Sequence, residues 1–212
     1  MIISAQKQLE EILRLIKNDP VFLIGCSECA TMCKTGGEEE ILIMKKNLEE
    51  RNIVVTGCII LDPACNLQKS KILLKNVKDN LNKAKKLLVL SCGNGVQTVA
   101  EICENFDVIS GTNTLFLGEI KHANEFENRC IMCGECILEL FNGFCPVSRC
   151  QKHMLNGPCG GSKDGKCEVN SELDCVWHNI YMSYKKKNQI ENFKTIIEPK
   201  DWSKSLEFRR VV

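Results

Sequence analysis

Eight of the chain's fifteen cysteines lie between positions 130 and 175, and over that stretch neither helical nor strand periodicity survives. Asn142-Gly143, Asn156-Gly157, Gly160-Gly161 and Asp164-Gly165 separate the thiols. Such a segment buries too little apolar surface to fold alone and must be organised by what its sulfurs bind. Cys130, Cys133 and Cys136 are spaced C-x2-C-x2-C, and Cys26, Cys29 and Cys33 form a second triplet, C-x2-C-x3-C. Three thiolates this close in sequence can turn toward one centre, which is how a chain wraps an iron–sulfur cube.

Compartment decides how the other cysteines are read. Residues 1–17 suggest a short amphipathic helix rather than a signal peptide. The apolar runs near Val21–Gly25 and Ile53–Leu61 are too short to span a bilayer. A cytoplasmic protein with no membrane contact is expected. Disulfides are rare in that compartment, and an odd cysteine count fits full pairing poorly. With 28 basic and 27 acidic residues, net charge does not point to nucleic acid.

Before the cysteine-rich stretch, apolar runs alternate with helical patterns. Strands are expected at 21–24, 53–60, 87–90, 107–109 and 115–117. Helices are expected at 38–51, 66–81 and 96–105. This alternation predicts an α/β domain over residues 1–125, a small parallel sheet with helices on both faces. An irregular metal-binding module (126–182) and an extended tail (183–212) follow.

On this map Cys26, Cys58, Cys65 and Cys92 fall at or near the C-terminal ends of successive strands, the edge where open α/β sheets bind ligands. Cys26, Cys29 and Cys33 therefore have candidate fourth ligands: Cys92 first, with Cys65 and Cys58 as alternatives. Cys103 shares a helical face with Val96, Val99, Ala100 and Phe106 and reads as a core thiol. A phosphate loop and a G-x-G-x-x-G turn are both missing from their expected places. The first triplet also reverses the C-x3-C-x2-C order of radical S-adenosylmethionine enzymes.

In the late module, bacterial ferredoxins place a Cys-Pro three residues after the triplet; here eight residues separate Cys136 from Cys145-Pro146. The grouping expected is Cys130, Cys133, Cys136 with Cys175, and Cys145, Cys150, Cys159 with Cys167. Zinc is the alternative for the second set, although paired C-x2-C knuckles are its usual signature. His122, His153 and His178 stand isolated and read as surface residues. The tail carries eight basic and four acidic side chains, with Phe193, Ile196, Ile197, Trp202 and Phe208 between them. It reads either as a solvated end or as a docking arm for a partner.

Three segments carry a family resemblance: GCSECATMCKTGGEEE from Gly25, SCGNGVQTVAE from Ser91, and RCIMCGECILELFNGFCPVSRCQKHMLNGPCGGSKDGKCEV from Arg129. Over roughly residues 1–185 the chain resembles the MetV-type subunits of bacterial methylenetetrahydrofolate reductase, related to a C-terminal domain fused to that enzyme in some bacteria. The resemblance implies an accessory electron-transfer role in one-carbon metabolism, with [4Fe-4S] clusters, two expected within a range of one to three. Flavin and catalysis would belong to the partner subunit, since a barrel alone needs about 250 residues. A ferredoxin or another redox subunit would be the donor. A zinc-holding structural or regulatory subunit is the alternative, and a component of a methyl-transfer assembly near a corrinoid protein a third reading.

Overall fold

All six residues of the strand Val21–Cys26 are buried, as an unbroken apolar run requires of a parallel strand covered on both faces. The computed structural model describes residues 1–207. Contacts divide the chain into two units that meet in sequence between Phe116 and Leu117, whereas loss of periodicity placed the division at 125/126.

The first unit runs β1 (Ile2–Gln6), α1 (Leu9–Ile16), β2 (Val21–Cys26), α2 (Cys29–Met32), α3 (Glu38–Glu49), β3 (Val55–Leu61), α4 (Leu67–Asn76), α5 (Lys78–Leu81), β4 (Lys86–Val89), α6 (Gly93–Ile102) and β5 (Asp107–Ser110). Its four-stranded sheet has the order β3-β2-β4-β5, all parallel. Side chains alternate along β2. Phe22, Ile24 and Cys26 pack with Leu74, Leu81 and Val99 from α4, α5 and α6. Val21 and Leu23 pack on the other face with Ile12 and Ile16 of α1 and Ile41, Met44 and Leu48 of α3. The α3 residues stand at i, i+3 and i+7, and each buried side chain contributes about 1.5–3 kcal/mol relative to exposure. Three glutamates occupy the first turn of α3, where the helix dipole favours negative charge. The Gly37 N–H donates to Glu40 Oε2 at 2.9 Å. The expected α/β layering, with helices on both faces, is present.

Two elements depart from the sequence reading. The expected N-terminal helix is preceded by β1. Ile3 and Ser4 are buried there, and the Ser4 and Thr35 hydroxyls lie 2.8 Å apart, so tertiary contact claims residues that periodicity had assigned to the helix. The helix expected over 66–81 is broken at Val77, whose φ of −111° and ψ of 15° end α4 before α5 begins.

Strand β6 (Thr112–His122) starts in the first unit and continues into the second, where it pairs antiparallel with β7 (Glu125–Cys130). The strand expected at 115–117 is thus the middle of a longer one. Beyond it stand α7 (Pro146–Arg149), α8 (Val176–Lys186), α9 (Lys204–Glu207) and 3-10 turns at Leu138–Phe141 and Ile190–Lys194. The core of this unit is small: Phe141, Val176, Trp177, Ile180 and Tyr184. Between α7 and α8 the described chain carries only isolated bridges, Lys163 with Lys166 and Lys166 with Asp174. The tail folds onto this unit. Phe193 packs against Trp177, Tyr181 and Tyr184, and Asn156 exchanges hydrogen bonds with the Ile197 backbone at 2.8 and 2.7 Å. Ile196 and Trp202 remain exposed; Phe208 lies outside the described residues. No helix among the described residues is long and apolar enough to cross a membrane.

Candidate metal centres

The chain leaves β2 for β3 on one side of the sheet and later returns to β4 on the other. The C-terminal ends of β2 and β4 therefore flank a switch in strand order, where loops part and leave a crevice. Cys26 is the last residue of β2, and Cys92 is the N-cap of α6, just beyond β4. Backbone packing draws the loops together. The Cys26 N–H donates to the Gly36 carbonyl at 2.9 Å, and the Leu90 N–H to the Ile24 carbonyl at 2.7 Å. Gly36 lies so close to the Leu90 carbonyl that any Cβ there would collide. The Cys26–Gly36 loop is thereby held against the strand end that leads to Cys92. Past β3, the Ser27 N–H donates to the Leu61 carbonyl at 3.0 Å, and Ala64 packs in one apolar cluster with Cys26 and Ala30.

Cys65 follows Ala64 and senses its neighbours. Burial raises its thiol above the ordinary range, and the Cys92, Cys26 and Cys29 sulfurs push it further the same way. Cys26, Cys29, Cys65 and Cys92 thus share one electrostatic neighbourhood. Cys33, the third member of the triplet, caps α2, and its thiol donates to the Ile2 carbonyl at 3.7 Å. Cys58 pairs with Leu23, on the face of the sheet opposite Cys26, and is exposed. Cys103 sits in the core, its thiol raised by burial.

In the second unit, Cys130, Cys133, Cys136 and Cys145 line one cavity of about 210 Å³, walled by Ile131, Ile137, Leu138 and Val147. Met132 and Gly134, with φ of 53° and 82°, put tight left-handed turns into the loop between its cysteines. The Met132 N–H donates to Cys130 Sγ at 3.3 Å, and Cys133 Sγ lies 3.5 Å from the Glu135 carbonyl. The cavity brings Cys145 to the triplet where the sequence grouping had Cys175. Cys175 instead caps α8 and packs against the aromatic core. The insertion after Cys136 holds the Leu138–Phe141 turn and then delivers Cys145 back to the loop.

Cys145 is held there by two side chains of α7 that sequence reasoning missed. Ser148 Oγ donates to the Arg129 carbonyl at 2.9 Å. Arg149, only 10% exposed, meets Glu127 at 3.1 Å. Burial by itself would raise the Glu127 carboxyl, but Lys121, Arg149 and Arg129 together hold it below its usual range. Both contacts fasten α7 to β7, and hence Cys145 to Cys130. The remaining thiols are spread more loosely. Cys150 packs on the aromatic core, Cys159 lies 3.8 Å from Glu168, and the Cys167 and Cys175 N–H groups donate to Leu173 and Gly165 across one small turn. His178 lies against Gly165. Among the described residues, no three His, Cys, Asp or Glu side chains converge closely enough to hold a single metal ion.

The stretch that carries the four-cysteine cavity also carries a family likeness. Residues 109–203 match the family described as methylene-tetrahydrofolate reductase C terminal. The match runs from the end of β5 through most of the tail, a little under half of the chain, and associates that part with the reductase. The α/β unit before it lies almost wholly outside the matched residues. No curated protein and no solved structure matches the chain.

Proposed function

We propose that the chain is a non-catalytic electron-transfer subunit of a methylenetetrahydrofolate reductase of the MetV type, holding two [4Fe-4S] clusters beside a flavin-bearing catalytic partner. The observation that carries this reading is the cavity shared by Cys130, Cys133, Cys136 and Cys145. Its donors are four sulfurs and its lining is mainly apolar, with Arg129 and Glu135 as the charged members, which suits an iron–sulfur centre. Cys26, Cys29, Cys65 and Cys92 at the sheet switch point are the second set, with Cys33 beside them as the competing ligand. Cys150, Cys159, Cys167 and Cys175 remain candidates for a further thiolate site, with Cys175 taking the place first given to Cys145.

When bound, such a cluster supplies one-electron exchange at a potential set by nearby charge, hydrogen bonds to sulfur and exposure. The chain's own groups act on those variables. The Met132 N–H bonds Cys130 sulfur, and Ile131, Ile137, Leu138 and Val147 give the cavity an apolar wall. Cys130 and Cys136 are exposed, so the site opens outward toward a redox partner.

The test is iron and acid-labile sulfide on anaerobically purified protein, with the spin-resonance spectrum after dithionite reduction. About eight irons with matching sulfide are expected from two cubes. Zinc without sulfide would overturn the reading and place the chain among structural subunits.

A further inference from the structure

Glu135 stands between the second and third cysteines of the C-x2-C-x2-C loop, and residues of the tail close on it. The Lys200 ammonium, 4% exposed, donates to the Glu135 carbonyl oxygen and lies 3.7 Å from its carboxylate. The Lys204 ammonium meets the same carboxylate. The Lys204 carbonyl presses on Gly134, where a Cβ would lie 2.5 Å from it. Asp201 lines the same surface pocket as Glu135, Lys200 and Lys204. The same Glu135 carbonyl oxygen lies 3.5 Å from the Cys133 sulfur. The geometry is a relay: ammonium, carbonyl, sulfur.

We propose that Lys200 and Lys204 belong to the cluster site of Cys130, Cys133, Cys136 and Cys145 as positioning residues and set its reduction potential through Glu135. This rests on the cluster reading above. A carbonyl facing a metal-bound thiolate repels it; an ammonium bonded to that carbonyl draws density away and relieves the repulsion. Glu135, Asp201, Lys200 and Lys204 sum to zero charge. Charge beside a cluster shifts its potential, and excess negative charge disfavours the reduced form. Loss of either lysine leaves one negative charge over; loss of the Glu135 charge leaves one positive.

The experiment is a potentiometric titration of the full chain, prepared anaerobically and followed by spin resonance, for Lys200→Met, Lys204→Met and Glu135→Gln. Methionine preserves the aliphatic stem that Lys200 buries. Cys145→Ala protein identifies which midpoint belongs to this site. Both lysine variants are expected to lower that midpoint and Glu135→Gln to raise it. A tenfold change in the oxidised-to-reduced ratio corresponds to about 59 mV for one electron. Three shifts of the same sign, or none, would overturn the inference while leaving the cluster reading intact. Wild-type protein without iron or sulfide would instead overturn the cluster reading itself.

Discussion

Cysteine is a poor guide to its own role at the level of the single residue, because one side chain stands as candidate ligand, core filler and surface group in this chain. Cys103 shows what a pattern can decide. Its helical spacing alone assigned it to the core, and it is buried in the sheet's apolar cluster. Cys145 shows what a pattern cannot decide, since the residues between it and Cys136 hide how far it travels back. Two substitution pairs follow. Cys29→Ala should lose about four irons per chain, one cube's worth, while Cys103→Ala keeps them all. Cys145→Ala should likewise lose one cube while Cys175→Ala keeps both. Iron analysis of the four proteins checks this, and equal loss in Cys145→Ala and Cys175→Ala would refute the regrouping.

At the scale of elements, the helix–strand alternation of residues 20–110 was legible because each element carries its own period. Legibility failed where a neighbour imposed the structure: β1, bonded through Ser4 to Thr35, and α7, fastened to β7 by Ser148 and Arg149. Arg149→Met should therefore cost about 1–3 kcal/mol, the range for a hydrogen bond to a charged group, read as a shift in urea midpoint. The same contact has a pH dependence. The Glu127 carboxyl is held below its usual range when folded, so on acidification the unfolded chain takes up that proton first. Its stabilisation is complete above the ordinary glutamate pKa of about 4.3 and is lost as pH falls through the lower folded value. Glu127→Gln should flatten the fall in urea midpoint below about pH 4.3. A variant with the wild-type slope would show that another carboxylate is responsible.

The two units of the molecule rest on different physics. The first has apolar cores on both faces of its sheet; the second has one small aromatic cluster and a long irregular stretch. Anaerobic removal of iron by chelation should leave amide exchange slow in β2 and β4 and make it fast over residues 130–175, because metal binding and folding are coupled where the core is small. Uniform loss of protection in both units would contradict this. What the sequence by itself determined was the type of architecture, because a run of apolar residues with its own period makes a strand or helix wherever it stands; the close spacing of the cysteines named the candidate ligands. Only the tertiary structure brought Cys65 within electrostatic reach of Cys92, Cys26 and Cys29, and Cys145 into the cavity lined by the second triplet. It also decided that Lys200 and Lys204 reach Glu135. Those pairings depend on strand order and loop paths, which arise from packing between residues far apart in the chain and leave no local periodicity to read.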